Sequence, residues 1–336
     1  MKICVVGAGA IGGLLAVRLA QGGHEVSVVV RGANLDAVRR HGMVLRQADG
    51  SESRAALRAS DNIAELGPQD VVVLAMKAHQ LAPVAAQIPA LLGPDTIIVT
   101  AQNGVPWWYF HKHGGPHEGQ RVEAVDPGGV VSTALDVERV IGCIVYPACE
   151  MAAPGVVRHI EGNRFSLGEL DGQSTPRIQA LAEAMRAVGF KTPISADIRS
   201  ELWVKLWGNL SFNPISALSH ATLADICAYA PTRALAADMM REAQRVGEQL
   251  GVVFKVSLER RIDGAAAVGQ HKTSMLQDLE AGRPMELAAL VGSVLEMGRL
   301  TDTPTPTIAA VHALAALLAQ SVQGQHGSLR IAPADR

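Results

Sequence analysis

The stretch ELWVKLWGNLSFNPISALS, residues 201–219, carries one basic and two amide side chains at a spacing that brings them together. On an α-helix Lys205, Asn209 and Asn213 fall at i, i+4 and i+8 and line one narrow face, which Ser216 extends. The other faces carry Leu202, Trp203, Leu206, Trp207, Leu210 and Ile215. A helix that is apolar nearly all round is a buried helix. Burying a lysine and two amides without partners is costly, so the stripe is expected to meet a polar ligand or a wet cleft. An ammonium aimed at a carbonyl oxygen stabilises the charge that develops there and donates a proton, while neutral amides orient the molecule. The bland alternative is a solvated face with Lys205 in water. Phe212 lies at the stripe's edge, and Pro214 is expected to bend the helix after Asn213.

A second chemical signal opens the chain. KICVVGAGAIGG places Gly7, Gly9 and Gly12 in the G-x-G-x-x-G spacing, directly after a strand and at the start of a helix. In that context the loop reads as a dinucleotide site, with the backbone of Gly7, Ala8, Gly9, Ala10, Ile11 and Gly12 close to a pyrophosphate. The end of the second strand selects the nucleotide. A carboxylate there binds a ribose 2′-hydroxyl, whereas VVVRGAN offers Arg31, with Asn34 shortly after. A guanidinium pairs with a 2′-phosphate that an acid would repel, so NADP(H) is the expected cofactor. FAD and S-adenosylmethionine sites commonly use an acid at the same point, and its absence counts against both. Lys77 and Asn103 sit just past the runs VVVLAM and TIIVTAQ, at carboxyl ends of parallel strands, where open α/β sheets bind ligands. Later in the chain, Ser274 and Glu286 bracket SMLQDLEAGRPME, and Glu286 stands among apolar residues that leave a carboxylate poorly placed without a partner.

The elements that would position these residues change character along the chain. Strands are expected at Ile3 to Val6, Glu25 to Val30, Val71 to Ala75, Ile97 to Ala101 and Val140 to Tyr146. Helices fit between them, notably Gly12 to Gln21 and Gln80 to Leu92. This alternation predicts a Rossmann-like α/β domain with a doubly wound, mostly parallel sheet. Trp107 to Asp126 reads as irregular. Gly155 to His159 and Arg164 to Gly168 read as a hairpin extending the sheet. From about Ser195 strand signals vanish, and helices are expected at Arg199 to Leu218, Arg233 to Leu250, Lys255 to Val268, Arg283 to Leu300 and Thr307 to Gln320. The division is therefore an NADP(H)-binding domain at 1–194, an all-α substrate domain at 195–325 and a disordered tail at 326–336.

Bulk properties bound the function. The 336 residues suit two domains, and 48% hydrophobic with 18% charged residues is globular composition. A formal charge of -2 gives no general pull towards nucleic acid or an anionic membrane, and neither is an expected partner. No segment reaches roughly 20 uninterrupted apolar residues, and no signal peptide is evident, so a soluble, cytoplasmic protein is expected. The four cysteines, Cys4, Cys143, Cys149 and Cys227, form no CxxC pair, and no metal site is expected.

Taken together, these motifs resemble the ketopantoate reductase (2-dehydropantoate 2-reductase) family. The likeness runs from KICVVGAGAIGG through the Asn-Gly of AQNGV, the K-x₃-N-x₃-N run and SMLQDLEAGRPMEL to TPTPT before the last helix. It implies NADPH-dependent reduction of 2-oxopantoate to pantoate, a step in pantothenate biosynthesis. By the same resemblance Arg31 holds the 2′-phosphate, and Lys77 and Asn103 border nicotinamide and substrate. Lys205 is the general acid, Asn209, Asn213 and Ser274 bind the substrate's carboxylate and hydroxyls, and Glu286 orients substrate or Lys205. The catalytic set is thus Lys205, Glu286 and Asn103. Ala288 and Val291-Gly292 stand where the family often has an Asp and an Asn-Gly. The aromatic run at 106–110 is also atypical, and reads equally as a lid or as packing. The partner is a small-molecule 2-oxo acid, and a homodimer is compatible with the sequence. Three alternatives stay open: a paralogue acting on another branched or aromatic 2-oxo acid, a catalytically silent NADP(H)-binding module, and a hydroxyacid dehydrogenase related to 6-phosphogluconate dehydrogenase. The last would require substrate phosphate contacts, and no basic cluster stands near the helix stripe.

Overall fold

The computed structural model describes residues 1–331. The chain divides into two compact units: Met1–Arg121 with Asp126–Ile198, and Val122–Val125 with Arg199 onwards.

The first unit is built on a seven-stranded sheet. Its strands are β1 (Lys2–Val6), β2 (Glu25–Val29), β5 (Arg58–Ser60), β6 (Gln69–Leu74), β7 (Leu92–Thr100), β8 (Val140–Val145) and β11 (Phe165–Glu169), while β3 (Met43–Arg46), β4 (Glu52–Ala55), β9 (Ala148–Ala153) and β10 (Val156–Glu161) form a second sheet. The large sheet has the order β11-β8-β7-β6-β1-β2-β5, parallel throughout except for the antiparallel edge strand β11. The order reverses at β1, and the crevice beyond the carboxyl ends of β1 and β6 is the position where such sheets take ligands. Strands β1, β6 and β8 are buried over nearly their whole length, which explains their unbroken apolar runs. The helices of this unit are α1 (Ala10–Gln21), α2 (Gly32–His41), α3 (Val130–Ala134) and α4 (Pro176–Ala187). The smaller sheet packs on α1 so closely that a Cβ at Gly13 would lie 2.6 Å from Val157 Cγ2 and 2.8 Å from Met43 Sδ.

Two expectations need correction here, and one open alternative is decided. The stretch expected as a helix from Gln80 to Leu92 is a 3₁₀ segment, Ala82–Leu91, with Pro89 in its interior, where the missing N–H and the ring disfavour an α-helix. The expected hairpin does not form: β10 pairs with β9 and β3 in the smaller sheet, and β11 pairs with β8 in the larger one. Pairing there follows burial, since β11 is wholly buried and β10 is not. The aromatic run is core and not a lid. Trp107, Trp108, Tyr109 and Phe110 are all buried, and Trp108 Nε1 donates to Thr100 Oγ1 at 2.9 Å.

The second unit is helical, with α5 (Ile198–Ser219), α6 (Leu223–Ala228), α7 (Ala230–Gln249), α8 (Leu258–Ala267), α9 (Ser274–Glu280), α10 (Ser293–Leu300) and α11 (Pro306–Gly324). Helix α5 continues through Pro214 to Ser219. The helix expected from Arg283 starts only at Leu287, because Pro284 favours an extended residue before it, and its first part, Ala288–Gly292, is a π-helix. Glu242, buried on α7, accepts hydrogen bonds from Thr307 N and Ile308 N, both at 2.9 Å, at the start of α11. The 19-residue α11 is, among the described residues, the one helix long and apolar enough to cross a membrane by length and composition; Leu314 and Leu317 on it are exposed. Of the tail expected to be disordered, residues 332–336 lie outside the described residues. The part before them is held by contacts that composition does not reveal: Leu329 N donates to Leu279 O at 3.3 Å, and Gly282 abuts Gly327.

Candidate active site

In the first unit Gly7 and Gly12 of the opening loop each have their own steric reason. Gly7 has φ +96, and a Cβ on it would strike Met76 N at 2.6 Å, so the turn must pass tightly beside the end of β6. A Cβ on Gly12 would sit 2.2 Å from Gly7 O, so helix and strand meet there without room for a side chain. A Cβ on Gly9 would meet nothing within 4 Å, and the backbone there is held by Gly9 N donating to Gly7 O at 2.8 Å and Gly13 N donating to Gly9 O at 2.7 Å. Gly7 N and Ala8 N donate to Val29 O at 3.0 and 3.3 Å, which fixes the loop against the end of β2. Helix α1 starts at Ala10 with Gly9 as N-cap and no side-chain cap or acidic residue in its first turn. The amides of Ala10, Ile11 and Gly12 therefore point from a positive helix end at which nothing repels an anion. These residues fit a pyrophosphate.

Arg31 is exposed immediately before α2, at the carboxyl end of β2. Asn34 has a structural task instead: its side-chain oxygen accepts from Gly155 N at 2.9 Å and ties α2 to the β9–β10 turn. Lys77 and Asn103, both half-buried, follow β6 and β7. Gln102 Nε2 donates to Met76 O at 3.0 Å, so the two segments are joined where these side chains arise. Gly7–Gly12, Lys77 and Asn103 thus gather at the carboxyl edge of β1, β6 and β7.

In the second unit α5 carries the stripe as its spacing requires. Lys205 and Asn209 are half-buried, while Asn213 is only 6% exposed. Ser216 leaves the set: it is fully buried, and its hydroxyl donates to Ala221 O at 2.7 Å to secure the end of α5. Just beyond, His220 takes a left-handed backbone with φ +58, and its Nδ1 is buried without a partner among the described residues. Ser274 is exposed as the first residue of α9, behind the buried N-cap Thr273, which accepts from Leu276 N at 3.3 Å. The loop leading to it is bound to the start of α6 through Leu223 N to His271 O at 3.1 Å and Ala224 N to Gly269 O at 3.0 Å. Glu286, half-buried, directly precedes the π-helix, a distortion frequent at functional sites.

Sequence reasoning missed Arg261. A Cβ at Gly208 would lie 2.1 Å from Arg261 Nη2, and Arg261 Nε donates to Val204 O at 3.4 Å. The signal was present as a lone glycine inside an apolar helix, which marks close approach of another group.

Thiol and metal chemistry find no support. Burial pushes the Cys4 thiol up to about 11 and the Cys149 thiol to about 12, and raises Cys227 as well, so these sulfurs stay protonated near neutral pH. Among the described residues no group of three or more His, Cys, Asp or Glu side chains is placed to hold a metal ion.

Comparison with known proteins gives one consistent result. Residues 3–172 match the family described as ketopantoate reductase PanE/ApbA, and residues 197–319 match its C-terminal domain. A Mesorhizobium japonicum protein named 2-dehydropantoate 2-reductase is 59% identical over 320 residues, covering 95% of this chain and 98% of that one. A Ralstonia solanacearum structure described as a candidate ketopantoate reductase has a TM-score of 0.91 at 41% identity, covering 96% of this chain and 98% of that chain. The structure of 2-dehydropantoate 2-reductase from Methylococcus capsulatus gives 0.80 at 28%, with coverage of 96% and 98%. The glycine loop, the lysine–asparagine helix and these matches along both units agree, and the chain belongs to the ketopantoate reductase PanE/ApbA family.

Proposed function

We propose that the chain reduces 2-oxopantoate to pantoate with NADPH. The observation that carries this reading is the α5 stripe: an ammonium and two amides in line on a largely apolar, largely buried helix, with Asn213 only 6% exposed. The 59% identical relative named for the same reaction supports it.

The cofactor, when bound, supplies hydride to the substrate's C2. Gly7–Gly12 receive its pyrophosphate, and Arg31, with no competing carboxylate at the end of β2, pairs with the 2′-phosphate. Lys77 and Asn103, at the carboxyl edge of the sheet, border the nicotinamide and the substrate. Lys205 holds a proton on Nζ and delivers it to the keto oxygen as charge develops there, so that C2–H and O–H bonds form together. Asn209, Asn213 and Ser274 hold the substrate's carboxylate and hydroxyl by neutral hydrogen bonds. Glu286 orients Lys205 or the substrate.

A second reading retains the machinery and changes the substrate to another branched 2-oxo acid. It rests on Ala288 and Val291-Gly292, which lie in the π-helix just after Glu286 and alter the wall beside it. The burial of the 106–110 run removes any support from that segment for a bulky aromatic substrate. Steady-state NADPH oxidation with 2-oxopantoate against a panel of 2-oxo acids separates the readings. The highest kcat/KM is expected for 2-oxopantoate. A better branched homologue would establish the second reading, and no turnover with any of them would reduce the chain to a binding module.

A further inference from the structure

We infer that Arg261 is the cationic anchor for the substrate's carboxylate, held beside Lys205 by the absence of a side chain at Gly208. This deepens the proposed reductase reading and rests on it.

Two contacts locate the guanidinium. The Cβ that Gly208 lacks would fall 2.1 Å from Arg261 Nη2 and 2.8 Å from Cζ, so the planar group lies directly on the α5 backbone. Its Nε donates to Val204 O at 3.4 Å, one turn earlier. Val204 and Gly208 flank Lys205 on the helix. Positions 205 and 208 are i, i+3 neighbours, with side-chain origins about 5–6 Å apart. The guanidinium therefore borders Lys205 on one side, while Asn209 and Asn213 extend the polar stripe on the other. Arg261 is half-buried and lies on α8.

Charge balance gives this position its chemistry. A 2-oxo acid arrives as an anion, and a second negative charge grows on its keto oxygen during reduction. Lys205 is committed to that oxygen, Asn209, Asn213 and Ser274 are neutral, and Glu286 is an acid. Among these groups Lys205 is the one cation, and the substrate's carboxylate has none of its own. Withdrawing a carboxylate from water without a cationic partner is expensive. A guanidinium presents paired N–H donors in the plane a carboxylate needs, and it cannot lose its proton to the reaction. Any residue larger than glycine at 208 would displace it.

The test is a kinetic comparison of Arg261→Ala, Arg261→Lys and Gly208→Ala with the wild type on 2-oxopantoate. Loss of a charged hydrogen-bond pair predicts a rise of roughly tenfold to a hundredfold in KM for the oxo acid in Arg261→Ala, with kcat within a few fold. Gly208→Ala, which retains the arginine but blocks its seat, should raise the same KM. Arg261→Lys should recover part of the loss, since it keeps the charge without the fork. The KM for NADPH should stay unchanged in all three, a readout that general damage to the fold would move. An oxo-acid KM within twofold of wild type in Arg261→Ala, or a fall confined to kcat, would overturn the assignment while the reductase reading stands. A wild type inactive on every 2-oxo acid would remove both.

Discussion

Lys205 stands half-buried on a helix walled by Leu202, Trp203, Leu206, Trp207 and Leu210, and its neighbours at one-turn intervals are amides that carry no charge. Such a cation is suited to one strong interaction, at the atom where charge develops. Lys205→Ala should therefore lower kcat by about a hundredfold or more, the scale of a lost general acid, and leave NADPH binding nearly unchanged. Single-turnover NADPH oxidation checks this, and turnover near wild type would mean that the proton comes from elsewhere. At this scale the tight glycine turn and the helix stripe were legible. Gly7 and Gly12 stand where a side chain would clash, and Lys205, Asn209 and Asn213 share a face because helical periodicity allows nothing else. What was not legible depends on residues distant in sequence. Ser216 belongs to the stripe by periodicity, yet its hydroxyl is spent on Ala221 O. Asn34 stands near Arg31 in sequence, yet it is bound to Gly155. Arg261 reaches Gly208 across more than 50 residues, and no local pattern reports that.

Elements obey the same division. Strands with unbroken apolar runs, β1, β6 and β8, are readable because both of their faces are covered. The smaller sheet is not, since β3, β4, β9 and β10 are short, mixed in burial and paired partly across more than 100 residues, as Val44 is with Val156. Helix α11 gives a clearer case of a long-range cause. Its first turn has no capping side chain of its own, and Thr305 before it makes no cap hydrogen bond. Glu242 from α7 supplies both acceptors instead, one oxygen to Thr307 N and the other to Ile308 N. A carboxylate at a helix N-terminus gains from charge-assisted hydrogen bonds and from the helix dipole. Glu242→Ala should cost roughly 2–4 kcal/mol, because one buried and one part-buried amide lose their acceptors, and Glu242→Gln about half as much. Urea denaturation of the two variants measures this. A cost below about 0.5 kcal/mol for alanine would mean that water replaces the carboxylate there.

For the whole molecule, the nucleotide is proposed to bind residues of the first unit, so its effect on stability should be read from that unit's unfolding. Anything that binds the native state alone stabilises it by RT ln(1 + [L]/Kd), about 2.7 kcal/mol at a hundred times Kd. For a unit of this size that is a rise of roughly 5–10 °C in its melting transition. Selectivity between NADPH and NADH rests on the 2′-phosphate, and the exposed Arg31 is the cation at the end of β2 with no carboxylate beside it in VVVRGAN. At equal concentration NADPH should therefore raise the transition more than NADH in the wild type. Arg31→Ala should bring the NADPH shift down to the NADH value and leave the NADH shift where it was, since the glycine loop still receives the pyrophosphate. Lys205→Ala should alter neither shift, because its role begins only at the reacting oxygen. Differential scanning fluorimetry with both nucleotides reads all of these together. Equal shifts for NADPH and NADH in the wild type would remove Arg31 from the phosphate and leave the glycine loop as a site for either nucleotide.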